Sequence, residues 1–512
     1  MKNVTLLFLI ASVSGFAAIS QPVKVSGGMV SGTPARDASI TAFKGIPYAA
    51  PPVGALRWRA PQIVAKWSGV KAADKFGASC MQTIVTEKKP WTYEFMAHND
   101  VSEDCLYLNV WTAAKNAGEK RPVFVYLYGG AFTEGSAAVP GYDGEGLAKK
   151  GLTVVTINYR VGIFGFFTHP ELSAESAMKT SGNYGLLDQI AALEWVRDNI
   201  AAFGGDPARV TIAGQSAGAS SVNALIASPL AKGLFARAIA ESGISYSRGG
   251  GTKLEQAEQA GAAFAAAKGA KSIADLRAMS WQQLTAPLQG GGRGYRGGVV
   301  VDGSFLPQPV PEIYAAGKQS DVPTLTGWNK GENGGSPNPT VTAAAFQAQA
   351  KQRYGDRADE FLKLYPAATD EQAHVSQNES SWDQQRVSTW LWARERAKTA
   401  KSNAYTYFWD HALPGPDAAL YGAFHTSEVL YALNTLYMSE RPFTEADHSI
   451  ADQVSGYWAN FAATGDPNGK ALTNWPAVSA KPETMEIGEK PGAIPAAGSA
   501  EKLAFWEKFL TR

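Results

Sequence analysis

The chain has 512 residues, 45% of them hydrophobic and 18% charged, with 47 Lys plus Arg against 46 Asp plus Glu and a formal net charge of +1. That balance excludes both the strongly basic face that gathers a nucleic-acid backbone and the high net charge of a disordered chain. With only 2 Cys a hydrophobic core, not a disulfide scaffold, must carry the fold, and large α/β enzymes fill such a length as one unit with insertions.

Met1-Lys2-Asn3 sets one positive charge ahead of the apolar run Val4 to Ala11, which fades through Gly15 to Ser20. This reads as a secretory signal over residues 1–20, cut after Ser20 because Ala18 and Ser20 present small side chains to the peptidase. Residues 21–512 are then one mature unit, secreted or periplasmic, in an oxidising compartment where Cys80 and Cys105 are expected to pair. No later stretch of sequence is long and apolar enough to span a bilayer. No pattern in the chain fixes an oligomeric state.

Residues 21–60 read as short strands and turns, with Val23 to Val25 and Ile40 to Phe43 extended before a Pro-rich stretch. Beyond Cys105 short apolar runs alternate with amphipathic helical stretches, the pattern of strands buried on both faces of a sheet. Strands are predicted at Val123 to Tyr128, Thr153 to Asn158, Val210 to Ala213, Ala238 to Glu241, Pro323 to Trp328 and Ala404 to Trp409. Helices are predicted from Tyr184 to Phe203, where Leu186, Ile190, Leu193 and Val196 share a stripe, and from Ala217 to Ala227. The mostly β-then-α order predicts an α/β fold: a large, mostly parallel sheet covered by helices. Stretches 250–300 and 335–400, rich in Ala and Gln, predict helical insertions around its rim. Within the first, Gly292 to Gly297 spells G-x-G-x-x-G, but Val299-Val300-Val301 follows rather than a helix, so a nicotinamide or flavin site is rejected.

Gly214-Gln215-Ser216-Ala217-Gly218 is a G-x-S-x-G sequence. Composition alone gives roughly 0.3 to 0.4 such matches by chance, so its place between a β-branched strand and a small-residue helix carries the weight. A serine on that turn projects above the sheet edge, beside the positive end of a helix. Acyl transfer through serine makes an oxyanion that must meet preset N–H donors. Tyr126-Leu127-Tyr128-Gly129-Gly130-Ala131-Phe132 runs a buried strand into small residues, which makes Gly130 and Ala131, with Ala217, the candidate donors. The serine also needs a base near neutrality, for which histidine is the usual choice. Among His98, His169, His374, His411, His425 and His448, the first two precede the serine against the serine, acid, histidine order, and His374 and His448 lie in polar helical stretches. His411 and His425 remain, with His425 slightly favoured because it follows a long Pro- and Gly-containing loop. For the orienting acid, Glu332 follows the strand ending at Trp328; Asp302 and Asp321 are rivals that read as turn residues.

The stretches Phe43 to Ala49, Ser102-Glu103-Asp104-Cys105-Leu106-Tyr107-Leu108-Asn109, Asn183 to Gln189 and Phe203 to Gly218 together resemble the type-B carboxylesterase and cholinesterase-like branch of the α/β-hydrolases across nearly the whole mature chain. The resemblance implies an α/β-hydrolase fold and cleavage of small-molecule carboxylic esters through an acyl-enzyme, with no metal or organic cofactor required. It implies Ser216 as nucleophile, Glu332 as acid, His425 as base, an oxyanion hole of Gly130, Ala131 and Ala217, and a Cys80–Cys105 disulfide. Amidase or lactonase chemistry on the same triad, or a binding module of the adhesion kind, are the alternatives. Two departures stand out: the acid loop reads Gly331-Glu332-Asn333 where the family has Asp-Glu-Gly, and Phe95 replaces the choline-stacking tryptophan. The second disfavours a dedicated acetylcholine enzyme, since a cation is held less well over Phe than over Trp, although neighbouring Trp91 can substitute. Some bacterial relatives cleave bulky polyester natural products such as fumonisin, and for such a substrate Arg293 and Arg296 are candidate carboxylate contacts.

Overall fold

The computed structural model describes residues 19–246, 250–288, 294–332 and 341–511. The signal assigned to residues 1–20 falls, apart from its last two residues, outside them, as does Arg293.

The strands of the main sheet are, in chain order, β1 Thr33–Pro34, β2 Thr41–Pro47, β3 Tyr107–Thr112, β4 Arg121–Leu127, β5 Thr153–Ile157, β6 Gly205–Gln215, β7 Arg237–Glu241, β8 Thr324–Asn329, β9 Ala404–Trp409, β10 Glu483–Ile487 and β11 Gly492–Pro495. They are ordered β11-β10-β9-β8-β7-β6-β4-β5-β3-β2-β1. Every pairing from β5 through β10 is parallel, and the pairs at both margins are antiparallel. The parallel centre follows from composition. Strands β5, β8 and β9 are buried at every position, so both faces must be covered, and β-branched and aromatic residues suit a pleated surface packed on both sides.

The covering helices include α1 Tyr184–Asn199, α2 Ala217–Ala227 and α6 Glu445–Thr464, and the rim carries α3 Ala343–Tyr354, α4 Ala358–Leu364, α5 Asp370–Arg396 and α7 Ala500–Leu510. Helix α2 packs on β6 and β7, and α6 on β4 and β6. The main core runs through the sheet and its helices. A second cluster, with Tyr354, Phe361, Trp390 and Trp506, unites the rim helices. A third joins Trp58 and Phe167 to Phe264 and Leu276. The stretches expected as insertions therefore are helical and have small cores of their own. The predicted helix from Tyr184 tightens into a 3-10 turn at Ile200–Phe203, the usual finish of an α-helix. The two-residue strand Val300–Val301 follows the Gly-rich stretch, so the dinucleotide pattern lacks its helix.

Cys80 and Cys105 form a disulfide, both buried. Among the described residues no helix is long and apolar enough to cross a membrane.

Candidate active site

Strand β6 ends at Gln215 and α2 begins at Ala217, leaving Ser216 alone on the turn at φ 59° and ψ −120°. A side chain in that region costs of order 1–3 kcal/mol and persists only where the surroundings impose it. Here the flanking glycines do so. A Cβ on Gly214 would lie 2.6 Å from the Gly218 carbonyl carbon, and one on Gly218 would lie 2.0 Å from the Leu127 carbonyl oxygen. The turn thus closes against β4 only without side chains at these positions. The Ser216 amide donates to the Glu241 carbonyl at 2.8 Å. Ala217 opens α2, where amides have no intrahelical acceptor and the helix dipole is positive.

The turn after β4 has three successive residues at positive φ: Gly130 (110°), Ala131 (53°) and Phe132 (60°). Consecutive amides turned this way form a concave anion-binding surface. The Gly130 carbonyl accepts from the amides of Thr133 and Glu134 at 2.9 and 3.1 Å. Gln82 clamps the same turn, donating to the Gly135 carbonyl at 2.7 Å and accepting from its amide at 2.8 Å.

His425 and Glu332 meet below this turn. The imidazole Nδ1 lies 2.5 Å from Glu332 Oε2, with the carboxylate side chain 6% exposed and the imidazole 19%. The other carboxylate oxygen accepts from the Ser242 hydroxyl at 2.5 Å and the Asn329 amide at 2.9 Å. The acid and histidine loops are stitched together as well: the Gly331 amide donates to the Ala423 carbonyl at 2.8 Å and the Asn329 side chain to the Phe424 carbonyl at 2.8 Å. Trp91 donates to the His425 carbonyl at 3.0 Å. The side-chain nitrogen of Gln215 lies 3.1 Å from His425 Nε2, the ring nitrogen turned away from Glu332.

The remaining candidates are occupied elsewhere. His411 faces Asp447 at 2.9 Å and packs against Trp409 and Tyr431. Asp302 accepts the amides of Ser304 and Leu306 at 2.9 and 3.0 Å, a turn role, and Asp321 those of Lys401 and Ser402 at 2.9 and 3.0 Å. His98 stacks on Tyr93, and His169 caps a short helix.

Two cavities meet at Ser216, Ala131 and His425. One, of about 560 Å³, also reaches Ala217, Ser242, Glu332 and Arg353. The other, of about 280 Å³, reaches Gly130, Trp91, Phe95 and Tyr142. Trp91 and Phe95 therefore stand beside the serine. Arg296 is exposed and is not among the described residues lining either cavity. Behind Glu332, two further carboxyls are fully buried. Glu241 accepts from Trp458 Nε1 at 2.6 Å and Glu428 from the Asn329 side chain at 2.5 Å. Each is pushed up to about 8, Glu241 by burial and Glu428 by burial together with the neighbouring Glu241. Ser242, Gln215, Arg353 and this acid pair were missed from sequence. For Ser242 one usable signal was its place directly after a buried strand.

A large, mostly parallel sheet covered by helices, with a serine on the turn between a central strand and its helix, is the architecture of an α/β-hydrolase. The chain belongs to the carboxylesterase family, whose model matches residues 20–506. It is 35% identical to the fumonisin B1 esterase of Sphingopyxis macrogoltabida, over 89% of this chain and 85% of that one. It is 32% identical to the human (Homo sapiens) cocaine esterase over 93% and 88%, and 31% identical to liver carboxylesterase 1F of Rattus norvegicus over 93% and 90%. Its reaction is the hydrolysis of carboxylic esters by the serine-hydrolase route.

Proposed function

We propose that Ser216 is the nucleophile of this esterase, His425 its general base and acid, and Glu332 the carboxylate that orients the imidazole. The observation that carries the assignment is the 2.5 Å Nδ1 to Oε2 contact placed beside a serine in an elbow conformation within one cavity. Glu332 holds the proton on Nδ1, which leaves Nε2 as the proton acceptor; its neighbour at 3.1 Å is the side chain of Gln215, the residue before the serine. Ser216 Oγ attacks the ester carbonyl carbon while Nε2 takes its proton. The oxygen of the carbonyl becomes the oxyanion, met by the amides of Gly130, Ala131 and Ala217. Collapse breaks the bond to the alkoxy group, which leaves as the alcohol with the proton from Nε2. Water then attacks the acyl carbon, gives its proton to Nε2, and the acid departs as Ser216 Oγ is reprotonated.

A fluorophosphonate probe followed by peptide mass spectrometry tests the nucleophile, with Ser216→Ala as control. Labelling at Ser216 is expected, together with a fall in kcat on the order of 10⁴- to 10⁶-fold in the alanine variant. A label on another residue, or retained turnover, overturns the assignment. The same reading includes export after cleavage behind Ser20, which the buried Cys80–Cys105 disulfide favours because such bonds persist in oxidising compartments. Amino-terminal sequencing of the exported protein should begin at Gln21.

A further inference from the structure

The two cavities that meet at Ser216 have opposite chemistry. The smaller is walled by Ile84, Val85, Trp91, Phe95, Val139 and Tyr142, with Lys88 and Glu134 as its charged members. The larger, beyond Phe132, Trp328 and the Glu332–His425 pair, is walled among the described residues mainly by hydroxyls, amides and the guanidinium of Arg353. Much of its lining comes from one helix. Ser381, Gln384, Gln385 and Ser388 of α5 follow the i, i+3, i+4, i+7 spacing of a single helical face. On a helix laid against protein that stripe is normally apolar, and here all four positions that face the cavity are polar. The Gln385 side-chain oxygen is buried without a hydrogen-bond partner among the described residues, a cost ordinarily met by a ligand or solvent group.

Arg353, from the end of α3, completes this wall. Its side chain is exposed, at the open edge of the cavity, and its Nη2 donates to Gln384 Oε1 at 2.9 Å, which draws the guanidinium toward the polar stripe. Among the described residues no carboxylate pairs with it; its other contact is the face of Tyr354, 5.5 Å from the ring centre. Glu332, the one carboxylate among the described residues lining this cavity, is engaged by His425, Ser242 and Asn329. Among the described residues the unbalanced charge in the larger cavity is therefore positive, and a planar guanidinium held along one edge is suited to a carboxylate.

We propose that this enzyme is selective for esters of unlike halves, one bearing a carboxylate that Arg353 receives in the larger cavity and the other an apolar group seated against Trp91 and Phe95. The proposal rests on Ser216 being the nucleophile, since the two cavities join there. It makes Arg353 a specificity-determining residue and the α5 stripe the hydrogen-bonding bed for the polar half.

The test compares kcat/KM for two matched pairs of esters in the full-length wild type, Arg353→Gln and Arg353→Lys. One pair carries the charge on the acyl half, 4-nitrophenyl hydrogen adipate against its neutral methyl ester. The other carries it on the alcohol half, 4-carboxyphenyl acetate against its methyl ester. Comparing each pair's ratio between wild type and variant cancels the difference in intrinsic reactivity within the pair. In at least one pair Arg353→Gln should lower the charged-to-neutral ratio on the order of 10- to 100-fold, mainly through KM, as expected for loss of a charge-assisted hydrogen bond. Arg353→Lys should recover part of it, and the neutral esters should change less than about twofold. Unchanged ratios in both pairs, or an equal fall for charged and neutral esters, overturn the proposal. A failure of the underlying assignment reads differently: the neutral esters would then be cleaved undiminished by Ser216→Ala.

Discussion

Ser216 is held in its conformation by what surrounds it, and the tightest of those constraints is Gly218. An added methyl there would sit 2.0 Å from the Leu127 carbonyl oxygen, inside any permitted contact. Gly218→Ala should therefore destabilise by ~1–3 kcal/mol through forced backbone movement, seen in urea unfolding, and should lower kcat by displacing the elbow. Ser242 makes a different prediction, since its hydroxyl donates to the Glu332 oxygen that does not face the imidazole. Ser242→Ala should reduce kcat about tenfold, the loss of one hydrogen bond to a charged group, with KM nearly unchanged. An unaltered kcat would mean that Asn329 and His425 orient the carboxylate unaided. At this scale the sequence was most informative where chemistry restricts the residue type. A serine that merely caps a helix or closes a turn needs no glycine on either side, so Ser216 stood out. Glu332 and His425 did not stand out in the same way, because Asp302, Asp321 and His411 occupy equally polar loops and only folding shows that each is satisfied elsewhere, Asp302 within its own turn, Asp321 by amides 80 residues on and His411 by Asp447.

Among elements, strand β7 and the segment after His425 bring Glu241 and Glu428 into the core behind the acid loop. Both carboxyls are raised by burial from an ordinary value of 4.5 to about 8. The folded protein therefore keeps protons that the unfolded chain releases between about 4.5 and about 8, so the contribution of these groups to stability falls as pH rises across that window and levels off above it. Glu428→Gln should flatten the decline of unfolding free energy between pH 5 and pH 8, an interval set by those shifts; a parallel decline in wild type and variant would contradict the reading. The pair was invisible in sequence because nothing local marks an acid as buried. Elements were legible in proportion to their burial: β4, β5, β8 and β9 showed as apolar runs because both faces are covered. The marginal strand β11 alternates half-buried with exposed residues and carries no run, and β10 is short and interrupted by polar residues. Helix α5 lies in a stretch expected to be helical, but only the fold shows that its polar stripe overlooks the serine.

For the molecule as a whole, the sheet fixes the serine and acid while long connections bring in the rest, and the disulfide governs one of those connections. The bond between Cys80 and Cys105, with a separation of 25 residues, should contribute about 3 kcal/mol by restricting the unfolded chain. A Cys80→Ser, Cys105→Ser variant should show that loss in urea unfolding; an unchanged midpoint would mean that native strain cancels it. The overall architecture was legible because alternation of buried strands and helices leaves few arrangements, whereas the meeting of two unlike cavities depends on contacts between parts of the chain some hundreds of residues apart.

The same covalent tie has a kinetic side. Between the two cysteines lie Gln82, which grips the turn of Gly130 and Ala131 through Gly135, and Trp91 and Phe95, which wall the smaller cavity. Cleaving the bond with a reductant under conditions that leave the sheet folded should slacken both the amide cradle and that wall, lowering turnover before any loss of helical circular dichroism. Thiol oxidation would then be a maturation step for the enzyme, and a chain that reached its fold with both sulfurs still reduced would hold every reacting group and yet work poorly until the crosslink formed.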